Sequence, residues 1–332
     1  MSVRSTSTLA IVLLAIAAAG CGDDAGPKAP EGVEQSVFER QLKDAQRVGV
    51  ADFPAVGGKT LQELADTAKA GPQAALATSV LVPGENRLAF GVLDAENNSV
   101  YGKTAVYVAP TPASKAAGPY PAPADSLLTD GRFRSRQAAS EDSPLASIYA
   151  AEVPLQRPGR YAVLVVTKTP AGLLGASTEV TVRRDSPIPA VGERPPAIST
   201  ETLISAAGDE GAIDTRLPPA PDLHETDFES VLGKQPVALL FATPQLCQSR
   251  VCGPVVDIEL QLKQTYGDRM TFIHQEVYVD NDLSKGLREP LKAFGLETEP
   301  WLFAFDRDGR VAARLEGSFG SRAFEDAIKA AL

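Results

Sequence analysis

A short stretch near the C-terminus sets the strongest limits on the fold, because an apolar run there leads into two closely spaced cysteines. The run covers residues 237–242, and its continuous apolar character predicts a buried strand. Thr243 and Pro244 end the run, and Cys247 follows in a loop. Cys252 lies just before a segment whose apolar residues have helical spacing. Backbone N–H groups and the dipole at a helix N-terminus favour a thiolate over a thiol, so we take the cysteine pair as the working site.

The N-terminus has the features of an export signal. Arg4 precedes an apolar core at residues 9–19, and small residues then lead to Cys21. This pattern predicts a signal peptide over residues 1–20 rather than a membrane-spanning helix. The cysteine at the cleavage point resembles the lipobox of bacterial lipoproteins. The resemblance implies cleavage before Cys21, acylation of that residue, and a lipid-anchored position on the extracytoplasmic side of the cell membrane. A plain secretory signal with an incidental cysteine is the alternative.

The cysteine count supports a redox role. The chain has three cysteines, and assigning Cys21 to the lipid leaves Cys247 and Cys252 as one pair. Disulfides persist outside the cytoplasm, so we expect this pair to be oxidised at least part of the time. A disulfide across so short a loop gives little entropic stabilisation, since the gain grows with loop length. The spacing therefore favours a redox function over a structural disulfide.

Length, composition and charge limit the remaining possibilities. A chain of 332 residues is expected to form about two domains. With 44% hydrophobic residues it can bury substantial cores. The net charge of −10 argues against a nucleic-acid partner, which requires a basic surface. The sequence predicts neither a metal-ligand set nor a cofactor.

The N-terminal half is predicted to be all-β after residues 21–74, which form a tether and short helices. Residues 75–184 contain alternating apolar patterns separated by turn residues, with no helices between them. This arrangement predicts an antiparallel β-sandwich, similar in pattern to the immunoglobulin-like modules of bacterial extracytoplasmic proteins. A Pro/Ala/Ser-rich insertion from Pro110 to Pro144 is predicted to be a functional or a disordered loop.

A proline-dense segment at residues 185–222 predicts a linker, and residues 223–332 then alternate between strand and helix patterns. Ser321 is predicted to cap the final helix. Two motifs resemble thioredoxin-like thiol–disulfide oxidoreductases: Leu240-Phe-Ala-Thr-Pro through Cys252-Gly-Pro, and Glu299-Pro-Trp-Leu-Phe-Ala-Phe-Asp. The predicted fold is an α/β thioredoxin-like C-terminal domain preceded by an all-β immunoglobulin-like sandwich domain.

The resemblance also assigns a role to Pro300. It implies that this proline has a cis peptide bond, packs against the cysteine pair and follows a residue whose backbone hydrogen-bonds a bound substrate chain. A cis X–Pro bond is uncommon in folded proteins. An ordinary trans proline at the start of a strand is the alternative.

The cysteine spacing departs from the family, which usually has two intervening residues, whereas four intervene here. Counting from the predicted helix length makes Cys247 the attacking thiolate and Cys252 the resolving cysteine. Counting from Cys252-Gly-Pro reverses these roles. Arg250 and His274 are auxiliary candidates, for thiolate stabilisation and general acid–base catalysis, although a solvated arginine and a satisfied strand histidine are the simpler interpretations. The acid buried beneath the cysteines in typical thioredoxins is replaced here by Leu240.

Three functions from different classes remain. The first is thiol–disulfide exchange with protein thiols or disulfides by a protein held at the membrane through its lipid. The second is copper handling, as in thioredoxin-like copper chaperones, since two thiolates suit Cu(I). However, no histidine lies at the distance that those chaperones use. The third is a non-catalytic interaction module with a structural disulfide.

Overall fold

The computed structural model describes residue 29 and residues 34–139, 146–247 and 249–332. The predicted signal peptide and Cys21 lie outside the described residues. In the part of the chain that the structure describes, no helix combines the length and apolar character needed to cross a membrane.

The described residues form α-helices, β-strands and several single 3-10 turns. The helices are, in chain order, α1 Gln35–Ala45, α2 Leu61–Ala65, α3 Glu210–Ile213, α4 Phe228–Val231, α5 Cys252–Tyr266, α6 Glu289–Phe294 and α7 Ser321–Ala331. The strands are β1 Lys69–Ala70, β2 Gln73–Leu76, β3 Gly84–Leu93, β4 Lys103–Ala109, β5 Ala117–Pro121, β6 Ala124–Ser126, β7 Ser147–Leu155, β8 Gly159–Thr169, β9 Gly172–Val182, β10 Val237–Phe241, β11 Thr271–Gln275, β12 Trp301–Phe305 and β13 Val311–Glu316.

These strands form three sheets. Sheet A has five strands in the order β1-β9-β8-β4-β5, and sheet B has four in the order β2-β3-β7-β6. Sheet C, from the C-terminal part of the chain, has the order β11-β10-β12-β13. The fold is therefore mixed α/β with several sheets.

Sheets A and B share one hydrophobic core. Their alternating strands send Phe90 of β3, Tyr149 of β7 and Val165 of β8 into the same buried cluster. Phe38 of α1 packs into this cluster as well, edge-on against Tyr101 with 5.6 Å between the ring centroids. The strand patterns in the sequence thus correspond to paired strands, while the immunoglobulin-like arrangement of this half stays a prediction.

Sheet C is buried on both faces. Its central strand β10 pairs in parallel with β11 and antiparallel with β12. Alternate side chains of β10 point to opposite faces. Leu240 packs with α5 and α7 on one face, and Leu239 and Phe241 pack with α6 on the other. This burial on both faces explains why the β10 sequence is continuously apolar.

The insertion between residues 110 and 144 is more regular than its composition suggests. It contributes β5 to sheet A, β6 to sheet B and a 3-10 turn at Gly131–Phe133. Leu127 packs in the same buried cluster as Cys252, so the described part of this segment covers α5. The proline- and alanine-rich composition gave no signal for β5 and β6. These two strands are stabilised by pairing with distant strands rather than by local propensity.

The N-terminal cap of α7 also differs from the prediction. Gly320, rather than Ser321, is the N-cap residue, and as a glycine it has no side chain that could accept a capping hydrogen bond. Instead the Asp125 carboxylate accepts hydrogen bonds from the backbone amides of Gly320, Arg322 and Ala323, at 3.1, 3.1 and 2.9 Å. A residue of sheet B thus satisfies the free amides of the last helix.

The segment at 185–222, predicted as a linker, packs along the C-terminal part of the chain. Ile188 and Ile198 belong to the core on one face of sheet C. Asp214 and Arg216 are also buried, at 2% and 3% exposure. The segment therefore packs against the C-terminal part of the chain and includes α3, and the division into domains stays a prediction.

Candidate functional site

The two cysteines meet at the N-terminus of α5. Cys252 is the first residue of that helix, and Cys247 lies in the preceding loop. Both are free thiols, and the Cys252 Sγ donates a hydrogen bond to the Cys247 Sγ at 2.6 Å. The Cys247 backbone amide donates to the carbonyl of Thr243 at 3.1 Å, which holds the loop against the end of β10.

The surroundings of Cys247 favour its thiolate. The hydrogen bond from Cys252 lowers the pKa of Cys247 most, burial opposes it, and Ser249 together with the Cys252 and Val251 amides lowers it further, to about 6. The Ser249 Oγ lies 3.2 Å from the sulfur. At neutral pH Cys247 is therefore mainly the nucleophilic thiolate.

Cys252 has the opposite character. Burial, the hydrogen bond to Cys247 and the negative charge of that thiolate raise the pKa of Cys252 well above its ordinary value. Cys252 is 0% exposed, whereas Cys247 keeps 8%. A thiol that is protonated and inaccessible cannot attack an external disulfide first, so the geometry suits Cys247 for attack and Cys252 for resolution.

Pro300 immediately precedes β12, and the Glu299–Pro300 peptide bond is cis, as the resemblance implies. Glu299 interacts electrostatically with Cys247, and burial followed by that interaction raises the pKa of the Glu299 carboxyl. Tyr278 hydrogen-bonds to Glu299, and its own pKa is raised to about 12 by burial first and then by Glu299 and the two cysteines. The segment before the cis proline thus places an acid and a phenol near the cysteine pair.

The two auxiliary candidates lie in different environments. Arg250 is exposed and has a left-handed backbone, φ 58°, and its guanidinium is not among the groups that lower the pKa of Cys247. His274 is completely buried in β11, and its Nε2 hydrogen-bonds the Ala242 carbonyl at 2.9 Å rather than a sulfur. Burial lowers the pKa of His274 to about 4. The ring is therefore neutral at physiological pH.

A segment of the insertion covers the start of α5. Gly253 lies so close to it that a Cβ there would sit 2.3 Å from the Gln137 carbonyl oxygen. Ala139 packs in the same buried cluster as both cysteines. Glycine follows Cys252 because this close approach leaves no room for a side chain.

Buried charges lie further along α5. The Arg216 Nε donates to the Asp257 carboxylate at 2.9 Å, and Ser135 donates to the same carboxylate from its amide and hydroxyl at 3.0 and 3.1 Å. Burial raises the pKa of Asp257 to about 6 despite these partners. Glu259 is completely buried, and neither of its carboxylate oxygens has a hydrogen-bond partner among the described residues. The interior therefore does contain acids, but α5 supplies them, as Asp257 and Glu259, rather than the strand position of Leu240.

Among the described residues, one group of His, Cys, Asp and Glu side chains could hold a metal ion: Asp214, His224 and His274. It includes neither cysteine. A copper site at Cys247 and Cys252 would therefore have two thiolates and no histidine from the described residues.

The sequence singled out the cysteines and Pro300 as site candidates but not several groups that lie beside them. Glu299 could have been found from its position before Pro300, and Ser249 from its place between the cysteines. Asp214 and His224 had no local signal, because they lie in and beside the proline-rich segment and reach the interior only in the folded chain.

No protein-family model matches the chain, and no curated protein matches it. Solved structures give weak similarities. A thioredoxin-family thiol:disulfide interchange protein from Chlorobium tepidum TLS is 17% identical, with 43% of this chain and 99% of that protein covered and a TM-score of 0.29. The PKD domain of the human VPS10 domain-containing receptor SorCS2 is 16% identical, covers 50% of this chain and 98% of the domain, and has a TM-score of 0.17.

An engineered protein is likewise 16% identical, with 34% of this chain and only 20% of that protein covered and a TM-score of 0.22. At these TM-scores the similarities assign neither a fold nor a family to the chain.

Proposed function

We propose that the protein is a membrane-anchored, extracytoplasmic thioredoxin-like protein that carries out thiol–disulfide exchange through Cys247 and Cys252. One observation carries the proposal: two free thiols with 2.6 Å between their sulfurs have pKa values shifted in opposite directions, to about 6 for Cys247 and upward for Cys252. A structural pair has no need of this difference, whereas a nucleophile and its resolving partner do.

In the exchange, the Cys247 thiolate attacks one sulfur of a substrate disulfide. A mixed disulfide forms, and the other substrate sulfur leaves as a thiolate. Cys252 then loses its proton and attacks the Cys247 sulfur, which forms the Cys247–Cys252 disulfide and releases the second substrate thiolate. Two electrons pass to the substrate, and the reverse sequence oxidises a dithiol.

The region before Pro300 supports this step. Glu299 lies close enough to Cys247 to interact with its charge, so the pKa of the attacking thiolate depends on the protonation of that carboxyl. An anionic Glu299, which also interacts electrostatically with Cys252, offers an acceptor for the proton that Cys252 loses before it attacks. The expected substrates are protein thiols or disulfides that reach Cys247, the more accessible of the two sulfurs.

Insulin reduction with a dithiol donor tests the exchange. We expect activity in the unaltered protein, loss of turnover in Cys247→Ser, and a trapped mixed disulfide with loss of turnover in Cys252→Ser. Arg250→Gln is the matched control on the same loop and should keep most of the activity. If the unaltered protein does not reduce insulin, the interaction-module alternative is favoured. Copper titration of the reduced cysteine pair tests the copper alternative.

The anchor is tested separately. Cys21 is the proposed acylation site, so metabolic labelling with a fatty-acid analogue should mark the unaltered protein and not Cys21→Ala. Cys252→Ser serves as the control, because it changes a cysteine without touching the export signal. Equal labelling of Cys21→Ala would rule out lipid attachment at this residue.

A further inference from the structure

Three buried side chains from distant parts of the sequence meet behind the cysteine loop. Asp214 follows α3, His224 follows the 3-10 turn Pro221–Leu223, and His274 lies in β11. Their exposures are 2%, 1% and 0%. One ligand atom from each lies within 4.8 Å of the other two. The chain has only two histidines, and the fold brings both of them to the same carboxylate.

Three of the four imidazole nitrogens of this group have no hydrogen-bond partner among the described residues. The Nε2–H of His274 donates a hydrogen bond to the Ala242 carbonyl at 2.9 Å, so Nδ1 is the unprotonated nitrogen and carries a free lone pair. That Nδ1 has no hydrogen-bond partner among the described residues, and neither ring nitrogen of His224 has one. Buried polar atoms are nearly always paired, so three unpaired nitrogens in one group point to a missing partner such as an ion.

The nitrogen–oxygen contacts within the group are long ion-pair contacts. His224 Nε2 lies 3.5 Å and His274 Nδ1 lies 3.7 Å from the two oxygens of Asp214. These separations are longer than an ordinary N–H···O bond. The two contacts involve different carboxylate oxygens, Oδ2 for His224 and Oδ1 for His274, so each imidazole nitrogen has one Asp214 oxygen at about the edge length of a tetrahedron around zinc. That edge is about 3.4 Å when the bonds to nitrogen and oxygen are about 2.1 Å.

The surroundings also orient the ligands. Backbone amides of Ala220 and Arg216 donate to the two Asp214 oxygens at 2.7 and 2.8 Å. The Ala242 carbonyl fixes the His274 ring in the same way. Metal-binding imidazoles and carboxylates are held by such outer contacts, which set the tautomer and direction of the coordinating atom.

We propose that Asp214, His224 and His274 bind a divalent transition-metal ion, with zinc as the representative ion. Two imidazoles and one carboxylate suit ions of this class, and three protein ligands leave a fourth tetrahedral position for water.

The site would join separate parts of the chain. It ties the segment around residues 214–224 to β11 and, through Ala242, to the end of β10. Ala242 is followed by Thr243, whose carbonyl holds the Cys247 amide at 3.1 Å. The ion would therefore stabilise the base of the cysteine loop. This proposal does not depend on thiol–disulfide exchange, since neither cysteine is a ligand.

The test uses the full chain without a histidine tag and with all three cysteines replaced, Cys21→Ser, Cys247→Ser and Cys252→Ser, so that thiolates cannot bind the probe. Zn²⁺ is added, excess is removed by dialysis, and bound zinc is counted by mass spectrometry. We expect about one equivalent per chain, a lower melting temperature after chelation and recovery with Zn²⁺. Absence of binding and of any melting response would overturn the proposal.

Location is tested in the same thiol-free background. His224→Gln and Asp214→Asn should each weaken Zn²⁺ binding by at least about tenfold, whereas Glu225→Gln, an exposed neighbour, should not. Undiminished binding by the first two variants would overturn the assignment. Should those variants not fold, ¹⁵N-histidine labelling of the thiol-free protein decides: Zn²⁺ must shift the ring signals of both histidines, and unchanged signals would overturn the site.

Discussion

The sulfur of Cys252 donates a hydrogen bond to the sulfur of Cys247 at 2.6 Å, and this contact is the largest contribution to the lowered pKa of Cys247. The two cysteines are therefore not equivalent. Cys247, the more exposed of the two at 8%, carries the negative charge, and the fully buried Cys252 supplies the proton that stabilises it. The reactivity of Cys247 therefore depends on the Cys252 thiol, and this dependence can be measured by following the reactivity as a function of pH.

Alkylation of Cys247 by iodoacetamide should follow a titration with its midpoint near pH 6, because the thiolate is the reactive form and the pKa is about 6. Reactivity should fall as the pH is lowered through this value. In Cys252→Ala the midpoint should rise toward the ordinary thiol value of about 8.5, since the main stabilising hydrogen bond is lost. An unchanged midpoint in Cys252→Ala would contradict the assignment. Cys247→Ser is the control and should react slowly, because Cys252 is inaccessible.

Glu299 should oppose the Cys247 thiolate. Replacing it with glutamine removes a negative charge that interacts with the sulfur, so the pKa of Cys247 should fall further and alkylation at pH 5.5 should rise on the order of two- to threefold. Glu297→Gln removes an equal charge at an exposed position two residues away and should have little effect. A slower reaction in Glu299→Gln, or equal changes in both variants, would show that the carboxylate does not act on the thiolate.

Asp125 should stabilise α7 although it lies in sheet B. Its carboxylate serves three backbone amides at the start of the helix, so Asp125→Ala should lower the free energy of unfolding by about 1–2 kcal/mol. Ser321→Ala is the matched comparison, because Ser321 is the local capping candidate but only its hydroxyl contact to Ser126, at 3.4 Å, is lost. Urea unfolding monitored by circular dichroism measures both. A larger cost for Ser321→Ala would contradict the cap seen in the structure.

The parts of the fold that the sequence predicted well are those decided by nearby residues. The apolar run of β10 and the helical spacing after Cys252 predicted the strand and helix of the cysteine site, although α5 begins at Cys252 itself rather than after it. The cis geometry at Pro300 came from resemblance rather than from local physics.

The parts that the sequence did not predict depend on contacts between distant residues. The cap supplied by Asp125 to α7 spans almost two hundred residues, as the 195-residue separation from Gly320 shows. Likewise, His274 meets Asp214 only because the proline-rich segment folds back against β11. Periodicity and capping rules read a few residues at a time, so neither relationship leaves a pattern that such rules detect.

The ion pair between Arg216 and Asp257 should couple the proline-rich segment to α5. Arg216 also donates to the Phe133 and Pro218 carbonyls, both at 2.6 Å, and its side chain is 4% exposed. Removing one member of a buried pair leaves an uncompensated charge, so Arg216→Met should cost about 3–5 kcal/mol of unfolding free energy.

The double variant Arg216→Met/Asp257→Leu should cost much less than the sum of the two single changes, because no unpaired charge remains buried. Urea unfolding of the four proteins in a double-mutant cycle measures the coupling. Since α5 begins at Cys252, each single variant should also make that thiol reactive toward iodoacetamide, and the double variant should restore its protection. Additive costs with Cys252 still protected would mean that the pair does not hold the cysteine helix in place.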